Sequence, residues 1–199
     1  MQQSLIKAVA AVEAADITVA HVLAPVDENP LVHALGRLGD LGDQPPMIAA
    51  GLAVVTLGIL RWDRKHCLAG TRMLAALGLA TALKTVVKKQ VNRSRPALMF
   101  EEGRYISEVG DTQDKRLKSF PSGHTAGVVA IAATAARAFP HHAVPVWSTA
   151  ASVALVQISR RSHFVSDVVA GAAVGLVAAE IIDRLFHRST GTKRVHRPY

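Results

Sequence analysis

The residues able to do chemistry fall in three short stretches: Lys88, Lys89, Arg93 and Arg95-Pro96; Pro121-Ser122-Gly123-His124; and Arg160-Arg161-Ser162-His163, with Asp167 four residues after the histidine. A histidine held by a carboxylate is a base or nucleophile with a fixed tautomer, and a second histidine can serve as general acid. Cations beside them neutralise oxygens that carry charge in the transition state. Together they make a set sufficient for phosphoryl transfer without a metal. Each stretch also has a plainer explanation. Basic residues flank membrane helices for topological reasons, Ser122 is a good helix cap, and an aspartate in a first helical turn complements the dipole. A metal held by His163 and Asp167 alone would be poorly liganded. These plainer explanations account for each stretch singly and leave their joint occurrence unexplained.

The middle stretch lies where a charged loop gives way to the apolar run 126–136. Serine or threonine there caps a helix, glycine allows close approach to the backbone, and the free amides of the first turn favour an anion. His124 stands inside that turn.

The elements that must carry these residues are helices. Half of the 199 residues are hydrophobic, aromatics are few, and the apolar residues come in Ala-, Val-, Leu- and Gly-rich blocks separated by charge clusters. That pattern suits one domain of helices packed in lipid. Residues 5–24 read as a helix ended by Pro25, interfacial or shielded by the bundle because Lys7, Glu13, Asp16 and His21 are costly at the bilayer centre. A turn-rich connection follows, with a short helix at 31–38. Five spans are expected, at 47–60, 67–91, 122–139, 144–159 and 165–186, the first short for a bilayer. Arg72 and Lys84 lie near opposite ends of the second span, where snorkelling accounts for both. Gly171 and Gly175 have the small-xxx-small spacing that lets another helix approach closely. The fold class is therefore an all-α integral membrane bundle of about five transmembrane helices plus an N-terminal helix. It forms a single domain over 1–199, with a core at about 35–186 and a basic tail at 187–199.

In such a bundle the second span ends, the third begins, the fourth ends and the fifth begins on one side, so the three stretches converge. The net charge of +8 points to membrane and phosphate, and not to nucleic acid, because no basic stretch is interleaved with aromatics. The single Cys67 excludes an internal disulfide and fits no zinc pattern. No cleavable leader is expected, since Glu13 and Asp16 interrupt the first apolar run.

The three stretches, in this order, resemble the signature of the type 2 phosphatidic acid phosphatase family. Its members include membrane lipid phosphatases, and it shares its site with vanadium haloperoxidases and bacterial acid phosphatases. Lys, six residues, Arg-Pro is matched by Lys88 and Arg95-Pro96; Pro-Ser-Gly-His by residues 121–124; and His, three residues, Asp by His163 and Asp167. The resemblance implies that His163 attacks phosphorus and forms a phosphohistidine, that Asp167 orients it, and that His124 protonates the leaving oxygen. Lys88, Arg95, Arg160 and the amides of Ser122 and Gly123 would hold the phosphoryl oxygens. No cofactor and no metal is implied. The family expects an arginine six residues before its histidine, where this chain has Gln157. Arg160 is one helical turn further along and is the expected substitute, with Lys115, Arg116 and Lys118 as others.

The expected substrate is a lipid phosphate or an isoprenoid (polyprenyl) diphosphate, with its phosphate in water and its tail in lipid. Arg- and Lys-rich segments at 61–66, 137–142 and beyond 184 place those ends in the cytoplasm of a bacterial inner membrane, and the catalytic end outside it. A phosphotransferase to an alcohol and a non-catalytic anionic-lipid binding or transport protein remain open alternatives.

Overall fold

The computed structural model describes residues 2–25 and 39–191. Seven helices run along them: α1 Gln2–Leu23, α2 Gln44–Leu60, α3 Arg64–Lys88, α4 Pro96–Glu102, α5 Gly123–Ala138, α6 Ala143–Ser159 and α7 Val165–Gly191. The boundaries have local causes. Pro45 and Pro46 open α2, where missing amides cost nothing. Asp63 caps α3 by accepting from the Lys65 amide at 2.7 Å. Ser122 caps α5, and α4 ends at Gly103, whose φ of 64° is left-handed and suits a residue without Cβ. The helix expected at 31–38 and most of the basic tail lie outside the described residues.

The long charged segment between α3 and α5 departs from an all-helical reading. It holds α4 and a two-stranded antiparallel ribbon, β1 Val91–Arg93 with β2 Ser107–Val109, registered Val91↔Val109 and Arg93↔Ser107. Arg93 also bridges to Lys118, and the Ser119 amide donates to the Arg93 carbonyl at 3.1 Å. Only this tertiary pairing explains the ribbon, since three-residue strands have no usable periodicity.

α5 is the central helix, packed against α3, α6 and α7, while α2 packs on α3. Its buried residues are small: Ala126, Ala130, Ala132 and Ala133 beside Val128 and Val129. One core cluster joins Met47, Leu77, Val129, Ala150 and Val153, and another joins Ala76, Ala80, Ala130, Ala178 and Ile182. The outward faces stay apolar. Leu52, Ile59, Leu155, Val169 and Val177 are exposed, the reverse of a water-facing surface and right for lipid.

α3 and α7 are long and apolar enough to cross a membrane; α2 is apolar but has 17 residues, roughly 25 Å of helix against a hydrocarbon core of about 30 Å. The protein is thus a helical membrane bundle in which, among the described residues, two helices meet the length for a full span.

The contact that sets the site's geometry is that of α5 with α7. A Cβ on Gly171 would stand 2.5 Å from the Ser122 carbonyl oxygen, and one on Gly175 2.5 Å from that of Ala126. The small-xxx-small spacing therefore lets two backbones touch, and the Ser122 amide donates to the Asp167 carbonyl at 2.9 Å. Gly171→Val is expected to separate the helices and lower stability by about 1–3 kcal/mol or more through overpacking. Gly78, exposed on α3 with nothing within 4 Å of its would-be Cβ, serves as control. Thermal unfolding in detergent should show Gly171→Val melting well below Gly78→Val; equal melting would refute the close-contact account.

Candidate active site

The ends of α3, α5, α6 and α7 that carry the three stretches meet around one cavity of about 230 Å³, lined by Lys84, Lys88, Arg95, Gly123, His124 and His163 together with Asp43, Gln44, Met47 and Thr81. Five of the eight expected site residues, Lys88, Arg95, Gly123, His124 and His163, are thus brought to one space. Asp167 stands behind His163, fully buried.

His163 is placed by the end of α6. Its amide and that of Ser162 both donate to the Gln157 carbonyl at 3.1 Å, turning the chain back toward α7. Asp167, in the first turn of α7, accepts from three donors. Arg93 Nη1 donates to Oδ1 at 2.6 Å, while the Ser119 hydroxyl at 2.5 Å and the Phe164 amide at 2.8 Å donate to Oδ2. The imidazole Nδ1 of His163 is 3.7 Å from Oδ2, an ion-pair distance but too long for a direct hydrogen bond. Ser119 Oγ closes the gap, 3.4 Å from that Nδ1. The carboxylate thus orients the histidine partly through a serine. Burial, and next the Arg95 and Lys88 cations, pull the imidazolium pKa down to about 4 against the pull of Asp167. His163 is therefore neutral near neutral pH, with a lone pair available.

Behind this pair lies a buried ion network. Arg93, 4% exposed, donates to Asp167 and Ser166 through Nη1 and, at 2.7 Å, to Asp16 of α1 through Nη2. Tyr105 accepts from its Nε at 3.1 Å, and the guanidinium lies 4.6 Å from the Phe164 ring centroid. Burial opposes its charge, yet Asp167 and Asp16 outweigh that and hold its pKa above the ordinary value. Asp16 also accepts from the Ser166 amide at 3.0 Å and from the Ser166 hydroxyl. It is shielded by the bundle, as its cost in lipid requires.

His124 sits in the first turn of α5 and is half-buried, with Nε2 at 2.8 Å from Asp43 Oδ1. Asp43 is the N-cap of α2 but makes no side-chain cap bond; its carboxylate turns to the histidine instead. Lys88 Nζ donates to the Lys118 carbonyl at 2.6 Å, and Arg95 Nη1 to the Ser162 carbonyl at 3.2 Å, so backbone oxygens hold both cations at the cavity wall.

Two expected ligands are placed otherwise. The Ser122 amide is engaged with the Asp167 carbonyl, and its hydroxyl is bonded to Thr125, so Ser122 is a joint between α5 and α7 and offers no free donor. Arg160 does not line the cavity. As the C-cap of α6 it reaches Asp40 at 3.5 Å, packed on the Gly39–Asp40 turn. Arg116 pairs with Glu102 and Asp114, and Lys118 with Asp111, so these loop cations are structural too.

Four contributors escaped the sequence reading. Lys84 looked like a snorkelling end residue, although its spacing of four from Lys88 puts both on one helix face. Arg93 was one base among several in its cluster. Asp43 lies in the turn-rich connection before α2 and Ser119 in the charged loop before α5, where no motif marks either.

The sequence profile of the PAP2 superfamily matches residues 69–190. The lipid A 1-phosphatase of Rhizobium etli is 26% identical over 167 residues, covering 76% of this chain and 72% of that protein. The lipid A 1-phosphatase of Rhizobium johnstonii is 31% identical over 93 residues, 47% of this chain and 38% of that one. Among solved structures, the transmembrane PAP2-type phosphatidylglycerolphosphate phosphatase of Bacillus subtilis superposes with a TM-score of 0.62 at 21% identity, covering 94% of this chain and 90% of that one. Aquifex aeolicus LpxE gives 0.63 at 21% identity, with 82% and 93% covered.

The buried network predicts its own fragility. Arg93→Met leaves Asp16 and Asp167 buried without their cation, and removing one partner of a buried ion pair costs about 3–5 kcal/mol. The variant should therefore melt far lower in detergent; a melting temperature within a few degrees of the parent would show that the network does not hold the fold. The family profile covers more than half of the chain, including the three stretches that bear Lys88, His124 and His163, and the chain belongs to the PAP2 superfamily.

Proposed function

We propose that this PAP2-superfamily phosphatase hydrolyses a lipid phosphate monoester at the membrane surface through a phosphohistidine on His163. The observation that carries the reading is the cavity itself: a buried histidine backed by Asp167 and Ser119, a second histidine paired with a carboxylate, and cations in the same lining. The names of the relatives, lipid A 1-phosphatase and phosphatidylglycerolphosphate phosphatase, favour a lipid whose phosphate projects into water.

The imidazole of His163 attacks phosphorus as the P–O bond to the lipid breaks. The electron pair stays on the leaving oxygen, which takes a proton from His124. Water activated by His124 then attacks the phosphohistidine, the P–N bond breaks, and phosphate leaves. Asp167 stabilises the positive charge that His163 gains, and its own charge is kept by Arg93. Lys88, Arg95 and the Gly123 amide hold the equatorial oxygens, where transition-state charge is greatest.

We place α2, α3, α5, α6 and α7 as the five membrane spans, α2, α5 and α6 being short and accommodated by local thinning. The basic ends opposite the cavity support a cytoplasmic position for them, and an extracytoplasmic site in a bacterial inner membrane. A short-helix bundle brings its polar end to the headgroup level, where a phosphate on a lipid tail arrives without leaving the bilayer.

Detergent-solubilised protein should release phosphate from lipid monophosphates in a panel that also contains a polyprenyl diphosphate, with and without an alcohol acceptor. His163→Ala should lose at least about 10³-fold in kcat while remaining in the membrane. Retained turnover in that variant, or no turnover of any panel member by the parent, refutes the proposal.

The pH profile is a separate test. Only unprotonated His163 attacks, and its pKa is drawn to about 4, so the acid limb of kcat/KM assigned to it should fall near pH 4 and not near the ordinary histidine value of about 6.5. A limb near 6.5 that persists in His124→Ala contradicts the account of His163.

A further inference from the structure

The family pattern puts a guanidinium at position 157, and here that position is Gln157, 4% exposed, its side-chain nitrogen facing the Gly39 turn and outside the cavity lining. Arg160 is taken up at the same turn by Asp40. Lys84 lines the cavity, one helical turn before Lys88 on α3 and on the same face.

Its ammonium lies over the start of α5. A Cβ on Gly123 would stand 2.8 Å from Lys84 Nζ, which puts the ammonium against this first helical residue. Among the described residues its ammonium has no hydrogen-bond or ion-pair partner, unlike Lys118, Arg93 and Arg116. The arrangement sets an ammonium against the positive end of a helix dipole, beside Lys88 and Arg95. Among the described residues of the lining the one carboxylate, Asp43, is bonded to His124. Three cations and a helix start facing one space of about 230 Å³ repel one another, and an anion bound among them relieves that repulsion. We infer that Lys84 binds the substrate's phosphoryl oxygens as the third cation of the site, together with Lys88 and Arg95. The inference rests on the phosphatase reading above and assigns that site its charge complement.

Two measurements test it on the purified full-length protein. The first is kcat/KM for phosphate release from a lipid monophosphate; the second is equilibrium binding of inorganic phosphate or vanadate, which needs no turnover. Lys84→Met should lower kcat/KM roughly 100-fold and weaken anion binding, with melting temperature unchanged, while Lys84→Arg keeps the charge and should stay within about 10-fold of the parent. Binding and turnover of Lys84→Met within twofold of the parent would overturn the inference, as would equal impairment by Met and Arg. A parent that binds phosphate through Lys84 but releases none from any lipid would leave the inference standing and refute the catalytic reading instead.

Discussion

A guanidinium taken out of water must be met by enough negative charge and enough donors' partners to offset its lost hydration, and at Arg93 both are supplied. Asp16 and Asp167 accept from its two terminal nitrogens, Tyr105 accepts from Nε, and the Phe164 ring covers one face. Because the partners come from α1, the β1–β2 ribbon and α7, the same ion group joins three parts of the chain that are far apart in sequence. The desolvation cost makes such a group a weak source of net stability. Its consequence lies in the site: with Arg93 on one oxygen of Asp167, the other oxygen is left to Ser119 and His163. The histidine's orientation therefore depends on an arginine that does not line the cavity.

A second constraint is backbone contact between α5 and α7. In lipid, helix association relies on close packing, and small residues permit it. Gly171 and Gly175 let α7 rest on the Ser122 and Ala126 carbonyls, which sets the start of α5 beside the start of α7. His124 and His163 share a cavity because these two helix starts are held together at the Ser122–Asp167 hydrogen bond. The residue expected to offer its amide to a phosphate is used to build the site.

The cavity shows how charge is distributed by reach. Lys88 and Arg95 are tethered to backbone carbonyls at the wall, and Asp43 leaves its own helix uncapped to hold His124. Loop cations that looked equally available in sequence are consumed by acids within a few residues, as Arg116 is by Asp114. Short-range pairing in a loop costs little ordering entropy, so neighbouring acids capture such cations first.

The sequence by itself determined what is local or patterned. Apolar blocks bounded by Pro, Gly and caps located α2, α3, α5, α6 and α7 to within a few residues, because helix limits depend on nearby chemistry. The three motifs named His163, His124, Asp167, Lys88 and Arg95 and predicted that they converge, because alternate helix ends must lie on one side of a bundle. Only the tertiary structure decided the rest. It decided that Arg93 lies in the interior between two carboxylates, that Ser119 bridges Asp167 and His163, and that Ser122 is a joint. It also decided that Arg160 turns to Asp40 while Lys84 enters the cavity. The physical reason is the same in each case. A charged or hydroxylic side chain is assigned by the partner it meets, and Asp16, Arg93, Ser119 and Asp167 meet across separations of 26 to 151 residues that carry no periodic signal.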